Sequence, residues 1–143
     1  MSLIAFNSHM QSSNSILRNL ITGLLFLPFL TSQARAEWSL IGENDIFKIF
    51  VEKESLNKQN EYFYIWALYN FNQRQTEGYH SAKVLYQIDC SSQKYKLLSA
   101  NTFGDPMGQG ASGSPKASDR WEQSTRGAIG YEVTQYACDS VPQ

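Results

Sequence analysis

Few residues in this chain could carry chemistry, and their spacing leaves room for little beyond one covalent bond. Two cysteines are present, Cys90 and Cys138, and two histidines, His9 and His80. The cysteines are too far apart for a CxxC redox motif, and no four-ligand zinc pattern includes them. His9 lies in a segment read below as removed, which leaves His80 alone. A single histidine with no carboxylate cluster does not build a metal site, so His80 reads as a loop or strand-edge residue. Serines are plentiful, yet no Gly-x-Ser-x-Gly elbow presents one as a nucleophile. Gly108 and Gly113 have the spacing of the first two glycines of a phosphate loop. Ser114-Pro115 stands where Lys and Ser/Thr are required, which rules out that nucleotide site. Asp105 and Asp119 flank the same glycine-rich stretch and read as carboxylates that solvate turns. Neither an enzyme nor a cofactor is expected from these residues.

What positions the cysteines depends on where the chain resides. Residues 1–36 read as a signal peptide: Arg18 supplies the charge, Leu20 to Leu30 the apolar core, and Ala34-Arg35-Ala36 a cleavage site before Glu37. That apolar run is about 11 residues, too short for the roughly 20 that span a bilayer. Met10 is an alternative start that would shorten the leader. No cysteine immediately follows the apolar run, so a lipid anchor at a cleaved cysteine is not expected. The exported domain would be residues 37–143, at the cell surface or in the periplasm, with no transmembrane span. The whole chain carries a formal charge of −1. Removal of Arg18 and Arg35 makes the domain more acidic, which argues against nucleic acid as a partner.

Export makes the cysteine pair a disulfide candidate, the alternative being two free structural thiols. A Cys90–Cys138 bond would close a long loop, worth roughly 4 kcal/mol of loop-closure entropy. It would also tie the C-terminal segment to a strand. Ser81 to Cys90 reads as that strand, with Ala82, Val84, Tyr86, Ile88 and Cys90 alternating on one face. Lys83, Leu85, Gln87 and Asp89 face away. Ser91-Ser92-Gln93 is a short turn, and Lys94 to Phe103 returns as the second arm of an antiparallel hairpin.

Upstream, Trp38 to Ile41 reads as a short strand and Gly42 to Asp45 as a turn. Ile46 to Glu54 is a half-buried strand with Phe47, Ile49 and Val51 on its clean face. Ser55 to Asn60 reads as a polar hairpin loop. Glu61 to Asn70 is the strongest strand signal, almost entirely aromatic or β-favouring. Phe63, Ile65 and Ala67 share one face, and Tyr62, Tyr64, Trp66 and Leu68 the other. Both faces are apolar, so the strand is expected to be central, with one face under a helix and the other under a curled sheet or a partner chain. Phe71 to Tyr79 is a polar connection, and Gly104 to Asp119 a loop or irregular edge strand. Past Trp121, Ser124 or Thr125 could cap a helix whose apolar face holds Ala128, Ile129, Val133, Tyr136 and Ala137. Gly127 and Gly130 weaken it by about 1 kcal/mol each. The expected fold is α+β: an antiparallel sheet of about six strands and one C-terminal α-helix, tied together by the disulfide.

All three tryptophans and all eight tyrosines follow the cleavage site. Most of them should build the core, but Tyr and Trp also serve interfaces because they join buried area to a polar handle. Lys83, Tyr86, Lys94, Tyr95 and Lys96 form a basic-aromatic group around the hairpin and are the candidate partner-binding face. The bland reading of those lysines is a solvated guard on a strand edge.

The segments Tyr64-Ile65-Trp66-Ala67-Leu68-Tyr69, Ser81 to Cys90, Lys94-Tyr95-Lys96-Leu97, Gly108-Gln109-Gly110 and Trp121 to Cys138 occur in an order and spacing that resembles the surface-adhesin protein E family of Gram-negative bacteria. The resemblance covers about Trp38 to Cys138. It implies an antiparallel sheet with a C-terminal helix held by a disulfide. It also implies an outer-surface, non-enzymatic adhesin that binds host proteins such as vitronectin, laminin and plasminogen, as a homodimer. Vitronectin binding would map to roughly Val84 to Phe103. A periplasmic envelope-associated module with no host ligand is the alternative, and the missing lipidation cysteine suits it.

Overall fold

The structure, a computed structural model, describes residues 37–140. The signal peptide read over residues 1–36 lies outside the described residues. Eight strands and one α-helix follow in order: β1 (Trp38–Glu43), β2 (Phe47–Glu52), β3 (Asn57–Gln59), β4 (Tyr62–Phe71), β5 (Ser81–Asp89), β6 (Lys94–Asp105), β7 (Gln109–Gly113), β8 (Glu122–Gln123) and α1 (Tyr131–Asp139). They make one antiparallel sheet of order β1-β2-β4-β5-β6-β7, with β3 also on β4 and β8 also on β6.

The long, doubly apolar β4 is central, as its sequence demanded. It pairs with β2 on one side and β5 on the other. Ser55 to Asn60, expected as a loop, contains β3. A short 3-10 turn at Lys53–Ser55 interrupts the second strand, and the chain then rejoins β4 through Asn57–Gln59. The Ser55 side chain replaces the ladder bond lost at the bend. Its Oγ donates to the Glu52 carbonyl at 2.6 Å and accepts from the Trp66 N–H at 2.9 Å. A partly buried backbone donor would otherwise be unpaired.

The β5–β6 hairpin forms as expected. Its turn is held by Asp89, whose carboxylate accepts from the Ser91 and Ser92 backbone N–H groups and both hydroxyls. Those hydrogen bonds hold the Asp89 carboxyl below its ordinary pKa. In β6 the register slips between Leu97 and Ser99, so Leu98 is an extra residue turned to solvent.

The glycine-rich stretch is an ordered edge. Gly108 N–H donates to Ser81 Oγ at 2.8 Å, and Ser81 Oγ donates to the Asp105 carbonyl at 2.7 Å. Met107 N–H donates to Asn70 Oδ1 at 2.7 Å. These bonds pin a 3-10 turn at Pro106–Gly108 onto β4 and β5, and β7 then pairs back on β6.

The core lies between one sheet face and α1. Ile49, Val51, Phe63, Ile65, Ala67, Tyr69, Val84, Tyr86, Ile88 and Tyr95 meet Val133, Ala137 and Cys138. The helix begins later than the sequence pattern indicates. Ala128 and Ile129 precede it, and Ile129 is exposed. Gly127 takes a φ of +90°, which breaks the helical path, and Gly130 becomes the N-cap. A Cβ on Gly130 would sit 2.6 Å from the Tyr95 ring, so only glycine lets the chain enter the helix there. Ser124, expected as a cap, is instead buried ahead of the turn.

The helix has nine residues, short of the roughly 12–15 at which isolated helices become even marginal in water. Docking therefore holds it. Cys138 bonds to Cys90, with their Cα atoms 5.6 Å apart across a sequence separation of 48. At its start, the Tyr69 hydroxyl donates to the Ile129 carbonyl at 2.8 Å.

Candidate functional site: the helix-free face of the sheet

Side chains alternate across a strand, so every core residue of the sheet has neighbours on the opposite face. The ladders place Leu40, Phe50, Leu68, Lys83 and Asn101 in one row across that face. Trp66, Leu85 and Ser99 form a second row, and Tyr64, Gln87 and Lys96 a third. The expected Tyr62, Tyr64, Trp66 and Leu68 face is therefore real, and it is the side away from α1.

No described helix covers it, yet it is not bare. Leu68 is fully buried there and Gln87 nearly so. Long side chains from distant segments fold over the strands. The Lys83 ammonium lies 5.6 Å from the Trp38 ring centre and 5.3 Å from that of Phe103. Its stem crosses Gly108, where a Cβ would collide with Lys83 Cε. Lys96 stands over the Trp121 ring at 4.9 Å, and Trp121 packs on Tyr62 at 5.3 Å. Such cation–π contacts are worth about 0.5–1 kcal/mol at exposed sites. They hold two lysines at defined positions on an aromatic surface.

The hairpin group expected from the sequence divides between the two faces. Lys83, Lys94 and Lys96 belong to the helix-free side. Tyr86 and Tyr95 each have 1% of their surface exposed and point into the core. They cannot line an accessible face together with the lysines. Period-two alternation separates them: 83 and 86, or 95 and 96, differ by an odd number. In the core, the Tyr86 hydroxyl meets that of Tyr69 at 2.6 Å and the Tyr95 hydroxyl donates to Glu122 Oε2 at 3.2 Å. Burial pushes all three phenols above their ordinary pKa.

His80 has strand-edge surroundings, its backbone bonding to Phe71 and Phe103. Among the described residues no group of three or more His, Cys, Asp or Glu could hold a metal ion. None of the described helices is long and apolar enough to cross a membrane. The Trp38, Phe103 and Trp121 contributions are not legible in the sequence, because contacts over a sheet face leave no periodic mark.

The profile of the family described as "Surface-adhesin protein E" matches residues 38–139. The chain belongs to the surface-adhesin protein E family. Solved structures agree on the fold. A structure of Haemophilus influenzae protein E superposes with a TM-score of 0.55 at 16% identity, covering 74% of this chain and 86% of that one. A second crystal form gives 0.56 at 15% identity, with 74% and 90% covered. Protein E from non-typeable Haemophilus influenzae gives 0.53 at 16%, with 76% and 79% covered. No curated sequence matches the chain. The protein E resemblance carried by β4, the hairpin and the Trp121 to Cys138 segment is thus a family relationship, and the family is one of surface adhesins.

Proposed function

We propose that this protein is exported through cleavage after Ala36 and acts by binding, not catalysis, as a surface adhesin for host matrix or plasma proteins of the vitronectin, laminin and plasminogen kind. The observation that carries this is the helix-free sheet face in a member of a surface-adhesin family. Its aromatic side chains and fixed lysines supply rigid apolar contact together with charge, the composition that favours protein interfaces. The arms of the β5–β6 hairpin contribute Lys83, Leu85, Lys94 and Lys96 to it, within the Val84 to Phe103 region or at its border. A second copy of the chain would compete for the same face in a homodimer.

The test is binding of the purified protein to immobilised vitronectin, laminin and plasminogen at several salt concentrations. Binding should weaken with salt and fall at least tenfold in a Lys94→Glu/Lys96→Glu variant, since reversed rim charges act on encounter and complementarity. Binding unchanged in that variant would move the interface elsewhere. No binding to any of the three would favour the periplasmic module without a host ligand.

A further inference from the structure

A cleft on the helix-free face has a chemically specific lining. Trp38, Glu52, Trp66, Lys83 and Asn101 surround about 180 Å³. That is smaller than the roughly 300 Å³ at which sites for drug-sized molecules begin, so it accommodates a single ring. Two indoles supply apolar surface from the edge strand β1 and the central strand β4. Three polar groups complete the lining, and each has capacity to spare. Lys83 and Glu52 form no ion pair among the described residues. Asn101 Oδ1 accepts from Ser114 Oγ at 2.7 Å, which leaves its amide N–H groups free to donate among the described residues.

We infer that this cleft binds a pyranose sugar that carries a carboxylate. A pyranose has an apolar face of C–H groups, which packs on indole, and a rim of hydroxyls, which needs both donors and acceptors. Glu52 accepts from hydroxyls and Asn101 donates to them. Lys83 is the discriminating group. Lys83 as a residue is half-buried, its ammonium lies beside the Trp38 and Phe103 rings, and it has no anionic partner among the described residues. A ligand carboxylate would supply that partner through a charge-assisted hydrogen bond. A flat aromatic ligand would leave Glu52 without a donor, and a neutral sugar would leave Lys83 without an anion. This inference stands apart from the adhesin reading. Acidic pyranoses occur in host surface glycans and in the bacterial cell wall, and both present the same chemistry to the cleft.

The experiment is an amide and indole N–H NMR titration of the purified protein, produced with its own leader and processed by the cell. The probes are 3′-sialyllactose and N-acetylmuramic acid, with lactose and N-acetylglucosamine as uncharged controls. The Trp38 and Trp66 indole signals should shift with the acidic probes, and the controls should bind at least about tenfold more weakly. Tighter binding of the sialyl probe would identify a host glycan as the source, and of the muramic probe the cell wall. Lys83→Met keeps the stem over Gly108 and should abolish the preference for the acidic sugars. Asn101→Ala, at a partly exposed position, should weaken every sugar in a protein whose fold is intact. Indole signals that do not move at millimolar probe, shifts centred outside the cleft, or equal affinity for acidic and neutral sugars would each overturn the inference.

Discussion

The hydroxyls of Tyr69 and Tyr86 lie 2.6 Å apart in the core, and the Tyr69 hydroxyl also reaches the Ile129 carbonyl at 2.8 Å. One side chain on the central strand therefore satisfies a neighbouring phenol and a carbonyl in the turn that leads into α1. This polar link complements the disulfide at the other end of the helix.

Tyr69→Phe should destabilise the protein by about 1–3 kcal/mol, because it leaves a buried hydroxyl and a carbonyl short of a partner. The Tyr69→Phe/Tyr86→Phe double variant should lose less than the sum of the single losses, as the two groups share one bond. Urea denaturation of the four proteins in the cycle measures both. Additive losses would mean that the two hydroxyls act independently.

Alkali should act on the same cluster. Burial, first among the causes, raises the pKa of Tyr69, Tyr86 and Tyr95 above that of an exposed phenol. Above about pH 10 the unfolded chain would release these protons while the folded protein retains them. The stability they contribute is complete below that pH and is lost as pH rises toward the folded values. Denaturation midpoints between about pH 8 and pH 11 should fall, and less steeply in Tyr69→Phe/Tyr86→Phe. An identical slope in that variant would assign the loss to other groups.

Reduction of Cys90–Cys138 should cost roughly 4 kcal/mol, given the length of the closed loop and the dependence of a short helix on its tether. For a domain whose total stability is about 5–15 kcal/mol, that is a large share. The Cys90→Ala/Cys138→Ala variant, compared with the oxidised protein by thermal unfolding, should melt well below it. Protection of α1 amides from hydrogen exchange should fall before that of β4. Equal protection of the two in the variant would show that packing alone secures the helix.

The sequence made the central strand, the hairpin and the disulfide legible for concrete reasons. Tyr62 to Tyr69 is apolar on both faces, which suits only a strand covered on both. Cys90 and Cys138 have no other covalent role open to them in a chain whose N-terminus reads as an export signal. What stayed hidden was set by tertiary contacts. The helix start depends on the fit of Gly130 over the Tyr95 ring, which helical periodicity does not record. Strand β3 forms because Ser55 replaces a ladder bond, so a polar stretch could pair. The candidate face was half legible. Its lysines are legible in the sequence, but proximity along the chain groups Tyr86 and Tyr95 with them, whereas strand alternation puts both tyrosines in the core. Trp38, Phe103 and Trp121 join the face from far away in sequence, where only the folded sheet brings them.

Surface display is the claim on which the functional account rests, and accessibility on intact cells tests it most directly. Cells producing the protein would be treated with protease, or stained with antibody against the folded domain, alongside a periplasmic marker that reports envelope integrity. The account predicts that the protein is cleaved or stained while the marker stays protected. Protection of both would contradict surface adhesion and place the protein in the periplasm, with its helix-free face turned to an envelope partner.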